Sequence, residues 1–506
     1  MSTRLVAAAA LLSAGFGTAA ASARSASPPP SPTSPAATAP AVPPIDTNHA
    51  WPAARPTVSR SAPDPRESHA IAQLHVLPPP ETGFVPAPPT GPLAPVGIAL
   101  QNHGIYLRAL AVDEFAGNVS GGVRRGTGNS IATPFGADLD FNRMIGLPGA
   151  VLHISFNRSG GTSLAQAYTG NTVSFQTRYK TYQNLRLSAL AWDQSLLHGA
   201  VEISGGRVSA LTYFNASTLY CTFQNNAICF NPAALPIQNR SLSFFPYGTW
   251  GGRVKVNPSK RVYIQAGAFE ANTSLIPTDG FDWNTHGGTG VQTAVELGIH
   301  SPSQLAPHAY NLRFGAYRNS SPVNDPYYNS RGLPKPTHNG TALIHPEGQD
   351  GWYAMGDGVL TRLGADRRRN ITVFGGVIQA VPDYTLFKLQ ALAGLVITGP
   401  FASRPLDTFG IVGTYLQLGR NERDYLQAMR RAAQGTSRVT KGEGIFEINY
   451  GAKVMRGVTI SPNIQYVLQP DNVLKPSQRS ASHNILAFGF RASIELGAVA
   501  GLPVWH

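Results

Sequence analysis

Charge is scarce in this chain. Only 13% of its 506 residues are Asp, Glu, Lys or Arg, about half the share in an ordinary soluble domain, which argues against a cytosolic enzyme. Cysteine is scarcer still, with two residues, Cys221 and Cys229. Metal sites normally need three or four ligands, so a thiolate centre is excluded. Long apolar runs are missing: beyond position 23 nothing approaches about 18 consecutive apolar residues, the span a membrane helix needs. Mean hydropathy is −0.10. Catalytic signatures are absent too, with no H-E-x-x-H, G-x-S-x-G, Walker A or repeated C-x-x-C. Gly126-Thr127-Gly128 is a weak glycine match without the strand and helix of a nucleotide fold. The 13 histidines are scattered, with no pair at ligand spacing on one strand face. No enzyme, cofactor or metal is expected.

Glycine (52), proline (41) and aromatic residues (9%) are plentiful. Arg4, the apolar stretch Leu5 to Phe16 and Ala21-Ser22-Ala23 form the three parts of a secretory signal peptide over 1–23. In the oxidising compartment that export implies, Cys221 and Cys229 can close a small loop. A disulfide is expected there, two buried thiols being the alternative. Twenty prolines fall between Arg24 and Pro95, so 24–95 reads as an extended linker without a core. Four Arg balance four acids in that segment, leaving a net charge of +12 between Val96 and His506. The basic excess belongs to the folded part.

From about residue 100 the pattern is alternation with period 2, in segments of about ten residues. Val173, Phe175, Thr177 and Tyr179 alternate with Ser174, Gln176, Arg178 and Lys180. Tyr310, Leu312, Phe314 and Ala316 alternate with Asn311, Arg313, Gly315 and Tyr317. Phe446, Ile448 and Tyr450 alternate with Glu447, Asn449 and Gly451, and Leu486, Phe488, Phe490 and Ile494 with Ala487, Gly489, Arg491 and Glu495. One face suits lipid and the other water. Asp138 and Asp140 share one strand face and read as structural or pore-lining, not as an acid–base pair.

The connections alternate long and short. Long ones are expected at 116–128, 158–170, 210–246, 271–289, 320–350, 420–442 and 469–482, with a short corner at Pro382-Asp383-Tyr384. Tight turns fall near 143–147, 194–197, 257–260, 300–308, 364–369, 400–406 and 455–457. Outer-membrane barrels show this asymmetry, with short periplasmic turns and long external loops. A first count gives 17 strands; taking 171–193 as one long strand gives an even number and keeps the phase. The expected fold is therefore all-β, a transmembrane antiparallel β-barrel over 96–506 with 16 strands, 18 being the alternative. Such a closed sheet satisfies its backbone within hydrocarbon and is expected to leave a water-filled lumen, being too wide for side chains to fill.

On the inward face the phase places Arg178, Lys180, Arg186, Glu202, Arg207, Gln265, Glu296, Arg313, Glu447, Asn463, Gln465 and Arg491. These are long donors mixed with carboxylates, a set that can bond the successive hydroxyls of a sugar. Tyr263, Phe269 and Tyr317 on the same face are candidate platforms for a sugar's apolar side. Loop 210–246 is too long for a mere connector. It is expected to fold into the barrel and narrow it, stiffened by Cys221–Cys229. Arg124-Arg125, Arg367-Arg368-Arg369 and Arg430-Arg431 sit in loops or turns, where anionic lipid headgroups or lipopolysaccharide are better partners than nucleic acid, and simple solvation is the plain alternative.

The stretch Cys221 to Cys229, followed by Phe245-Pro246-Tyr247-Gly-Thr249-Trp250-Gly251 and Gln265-Ala-Gly267-Ala-Phe269-Glu270-Ala-Asn272, resembles the carbohydrate-selective porin family of Gram-negative outer membranes, the OprB type. Ser403-Arg404-Pro405-Leu-Asp407, Glu443-Gly-Ile-Phe-Glu447-Ile-Asn-Tyr450 and Pro462-Asn463-Ile-Gln465-Tyr466 agree, as do Asn118-Val-Ser-Gly121-Gly122 and Asp138-Leu-Asp140. The resemblance covers about 100–496. It implies a monomeric barrel of sixteen strands passing monosaccharides such as glucose by facilitated diffusion through an eyelet lined by arginine and glutamate. An anion or phosphate porin is the alternative that net charge suggests, although Glu202, Glu296 and Glu447 on the inward face oppose it. A secreted glycan-binding β-protein is a third reading. Two features depart from the family pattern. The last strand runs out near Leu496, leaving Trp505 to supply any terminal aromatic signal, and the proline-rich tail exceeds what a barrel needs. That tail is long enough to reach peptidoglycan or a periplasmic partner, or to be an inert tether.

Overall fold

The structure, a computed structural model, describes residues 89–503 except 230, 232 and 233. The expected signal peptide at 1–23, the linker up to 88 and the Trp505 feature lie outside the described residues. In chain order the strands are β1 (Ile105–Gly122), β2 (Gly126–Asp140), β3 (Ala150–Gly161), β4 (Leu185–Leu196), β5 (Val201–Val208) and β6 (Thr249–Ser259). There follow β7 (Val262–Ala271), β8 (Gly290–His300), β9 (Tyr310–Asn319) and a separate ribbon, β10 (Val323–Asn329) with β11 (Ala342–His345). The wall resumes with β12 (Gln349–Arg362), β13 (Asn370–Ala380), β14 (Phe387–Thr398) and β15 (Thr408–Leu418). It ends with β16 (Gly442–Met455), β17 (Val458–Leu468) and β18 (His483–Glu495). Leaving out the ribbon, sixteen strands form one closed antiparallel barrel in which β9 pairs with β12 and β1 with β18.

The outward faces carry the residues that alternation assigns to lipid. Leu312, Phe314, Phe446, Ile448, Phe488 and Phe490 are all exposed, as are Val254, Ile264, Val295, Trp352, Ile460 and Ile464. In water such a surface would be costly, whereas against acyl chains it is the required solvent match. The segments that flank the wall meet at its periplasmic end: the amide of Leu93 donates to Ala500 O at 2.8 Å and that of Leu107 to Pro503 O at 2.9 Å. Gly97 is needed there, because a Cβ would stand 2.3 Å from Gly501 O.

Two connections differ from expectation. The first external connection, expected at 116–128, is only the turn 123–125. Gly121 and Gly122 take φ of +74° and +72°, and the Asn118 amide ties the hairpin end by donating to Gly121 O and Arg124 O while accepting from Gly126 N. The strand expected over 171–193 is in the wall only from Leu185 onward. Residues 162–184 turn inward instead. Val173, Phe175, Gln176, Thr177 and Arg178 are all buried, and the backbone of this segment pairs with a loop inside the barrel: Thr177 N donates to Gln224 O at 3.1 Å and Asn226 N to Ser174 O at 3.0 Å. The alternation is real, but its hydrogen-bonding partner is not the wall.

The external connection before β16 holds the helix Arg420–Ala432, whose buried face carries Glu422, Leu426 and Arg430. Arg430 donates to Asn472 Oδ1 at 2.6 Å and to Arg438 O at 2.9 Å, so of the pair Arg430-Arg431 the first is structural. Burial, reinforced by the nearby Asp471 carboxylate, pushes the Glu422 carboxyl from 4.5 up to about 7. An acid raised on folding favours the folded state at low pH and loses that advantage as the unfolded form ionises. Docking of this helix should therefore weaken as pH rises from 4.5 to about 7. Hydrogen exchange of amides 420–432, corrected for intrinsic rates, should show less protection at the upper end of that range, and Glu422→Gln should abolish the difference. Equal protection in the wild type at both ends would contradict the assignment.

Candidate functional site

The connection between β5 and β6, residues 209–248, enters the barrel and packs against its inner wall. Its apolar residues Leu211, Phe214, Tyr220, Phe223, Ile228 and Leu235 join wall residues Phe374, Ile378, Leu392, Val412 and Ile445 in one buried cluster. Phe214 meets Phe269 edge-on with ring centroids 6.2 Å apart, and Tyr220 meets Phe374 at 5.3 Å. Cys221 and Cys229 are joined by a disulfide within this inner loop. Where this loop rests against the wall, the outer half of the bore is therefore a packed core, not a wet lumen.

Carboxylates on the wall hold the loop by its backbone. Glu296 on β8 accepts from Asn215 N at 3.0 Å, from the Tyr263 and Tyr353 hydroxyls at 2.7 Å each, and from Gln265 Nε2 at 2.8 Å. Across the bore Glu447 on β16 accepts from Gln224 N at 2.7 Å and Asn225 N at 2.8 Å. Arg491 on β18 donates to Cys221 O at 2.7 Å and Phe223 O at 2.6 Å, and pairs with Glu114 on β1 at 2.9 Å. Asn463 Nδ2 donates to Gln224 Oε1 at 2.8 Å, and Gln465 Oε1 accepts from Asn225 Nδ2 at 2.8 Å. Hydrogen bonds to ionised groups are about twice as strong as neutral ones, and these sit where no water competes.

Beneath the loop, toward the periplasmic end, lies a belt of charge. Arg108 pairs with Asp138 at 2.8 Å, and His153 stands between Asp138 (2.6 Å) and Asp193 (3.4 Å). The Tyr213 hydroxyl of the loop donates to Asp193 Oδ1 at 3.3 Å, and the Arg253 guanidinium lies 4.5 Å from the Tyr213 ring centroid. Glu202 pairs with Arg253 at 3.1 Å and Lys255 at 3.0 Å, and Arg313 pairs with Asp357 at 3.6 Å. Most of this belt is sealed. The side chains that keep contact with water are Lys255 (19% exposed), Arg313 (18%), Glu202 (13%) and Asp357 (10%). Tyr263 joins them, half-buried, with Lys255 Nζ 5.0 Å from its ring centroid. Among the described residues no group of three or more His, Cys, Asp or Glu is placed to hold a metal ion.

The profile of the carbohydrate-selective porin, OprB family, matches residues 124–496. The chain belongs to that family. Porin B of Pseudomonas aeruginosa is 25% identical over 72% of this chain and 82% of its own length. The putative porin QuiX of Acinetobacter baylyi is 24% identical over 74% of this chain and 86% of its own. The structure of Pseudomonas putida OprB superposes with a TM-score of 0.73 at 22% identity, covering 82% of this chain and all of that one. The protein is an outer-membrane sugar porin, and its relatives are channels, not enzymes.

The porin fold sorts the residues read from the sequence into several groups. Gln265, Glu296, Glu447, Asn463, Gln465 and Arg491 point inward and come together, but they grip the inner loop. Glu202, Arg313 and Tyr263 point inward below it and reach water. Arg186 is inward at the external rim, its guanidinium 4.5 Å from the Tyr247 ring centroid and donating to Ile276 O at 2.9 Å. Arg178 and Lys180 belong to the inturned segment 162–184: the Arg178 amide donates to Glu114 Oε2 at 2.7 Å and Lys180 Nζ to Thr177 O at 2.9 Å.

Three assignments are corrected. Arg207 faces outward: it shares the face of Ile203, stands opposite Trp250 in the β5–β6 register, and donates to Asp282 O at 2.8 Å under the 272–289 loop. Period 2 from Glu202 places Ser204 and Val208 inward, and therefore Arg207 opposite. Phe269 and Tyr317, 1% and 3% exposed, cannot stack on a sugar, because the inner loop and the adjoining wall already cover their rings. Sequence reasoning missed Glu114 and Lys255, which the strand phase could have found, and Asp357, whose flanking glycines hide the phase. It also missed the loop residues Asn215, Gln224 and Asn225, which no periodicity marks.

Replacing Glu447 by Ala would strand two buried loop amides at about 1–3 kcal/mol each. Glu447→Ala should lower the thermal midpoint and raise single-channel conductance and its noise, with Glu447→Gln intermediate. Conductance and noise unchanged in the Ala variant would remove Glu447 from any role in holding the loop.

Proposed function

We propose that this porin passes monosaccharides such as glucose by facilitated diffusion, as a monomer, through the gap between the inner loop and the wall. The observation that carries this reading is the water-accessible set beneath the loop: Arg313 beside Asp357, Lys255 beside Glu202, with Tyr263 between them. A sugar hydroxyl both donates and accepts, so cation and carboxylate side by side can replace its hydration shell as it passes. A half-buried aromatic ring supplies an apolar face for the C–H side of the pyranose. Because the charges are already paired with each other, binding is weak enough for release, which conduction requires. A ring of unpaired cations would instead concentrate anions, and here each accessible cation has an acid within 3.6 Å.

Proteoliposome swelling decides the matter. Glucose should drive swelling several-fold faster than a size-matched zwitterion, and Arg313→Ala or Tyr263→Leu should erase most of that preference while leaving small-ion conductance within about a factor of two. Equal swelling rates for glucose and the zwitterion would refute sugar selectivity. Strong chloride selectivity blocked by phosphate would favour an anion channel.

A further inference from the structure

We propose that the periplasmic rim from the β6–β7 turn to the β14–β15 turn is a binding site for the phosphates of anionic glycerophospholipids in the inner leaflet. Four turns adjoin there, at 260–261, 301–309, 363–369 and 399–407. Arginines stitch them together. Arg362 donates to Ala306 O across one gap, Arg369 to Gly399 O at 2.8 Å across the next, and Arg404 pairs with Asp407 at 2.6 Å while reaching Lys453 O. With the frame held by these three, Lys260, Arg261, Arg367 and Arg368 are left exposed. Among the described residues none of those four side chains has an ion pair or hydrogen bond. The nearby acids do little to neutralise them: Asp407 is taken by Arg404 and Tyr450, and only Asp366, whose Oδ1 accepts from Arg368 N, stands beside them. Elsewhere on the same rim Arg143 has Asp140 at 3.6 Å.

Apolar side chains at the same level select lipid over the polar cell wall. Leu305 (49% exposed), Leu360 (59%) and Phe401 (58%) stand among the four cations, the pairing of acyl-level and phosphate-level groups expected at a headgroup boundary. A wall polymer would have no use for the leucines. Arg367 and Arg368 lie on the periplasmic side, out of reach of lipopolysaccharide in the outer leaflet, so the lipopolysaccharide contact expected of this cluster does not hold.

The test compares the full-length porin with an Arg261→Gln/Arg367→Gln/Arg368→Gln variant in neutral detergent, adding cardiolipin, phosphatidylglycerol or phosphatidylethanolamine. Native mass spectrometry should show cardiolipin and phosphatidylglycerol retained by the wild type, with each substitution weakening retention about fivefold. The thermal midpoint should rise with the anionic lipids only, and that rise should fade in high salt. Inorganic phosphate alone should give no rise; a rise equal to that with cardiolipin would reduce the site to a phosphate pocket and overturn the lipid assignment. Equal retention by wild type and variant, or an equal response to phosphatidylethanolamine, would also overturn it. So would binding to peptidoglycan sacculi lost in the variant without any lipid effect. Should the triple variant fail to fold, Arg367→Gln alone and the salt dependence of the wild type carry the same decision.

Discussion

Pairing of β1 with β18 is the contact on which everything else rests. An open sheet in hydrocarbon would leave two edges of unsatisfied N–H and C=O groups, each costing several kcal/mol. The register from Leu110↔Glu495 to Gly122↔His483 removes both edges at once. It also fixes which face of every strand looks inward, and so places Glu114 beside Arg491. Closure at sixteen strands has a price in space, since the bore is wider than wall side chains can fill. The chain narrows the outer half of it with its own polypeptide.

That internal filling needs a particular chemistry. A loop without regular structure brings many backbone amides into a dry interior, and each requires a partner. The wall supplies them from opposite sides through Glu296 and Glu447, and Arg491 caps the carbonyls of Cys221 and Phe223. Buried charge is tolerable here because it is fully engaged. The arrangement divides labour among the inward polar residues: those high in the bore hold the loop, and those lower down meet water.

Much of the architecture was legible in the sequence. Strand number, the lipid-facing residues and the loop that enters the bore follow from period 2, loop length and the cysteine pair. What resisted was anything set by contacts distant in sequence. Residues 173–180 alternate like a wall strand, yet alternation says only that a segment has two faces, not which backbone lies beside it. Phe269 and Tyr317 obey the phase and point inward, but whether an inward ring meets water or packing depends on where the inner loop rests. Arg207 differs for a simpler reason: five positions separate it from Glu202 on the same strand, so the two cannot share the inward face. Asp357, flanked by Gly356 and Gly358, shows little alternation of its own, and its role becomes visible only across from Arg313.

The anchors of the inner loop carry an implication for biogenesis. The loop lies between β5 and β6, whereas Glu447, Asn463, Gln465 and Arg491 come from β16, β17 and β18, more than 200 positions later in the chain. During synthesis and insertion the loop is made long before its docking partners exist. It can settle only once the final strands have joined the first, so a half-built wall encloses no finished constriction, and narrowing of the channel becomes the last event of assembly.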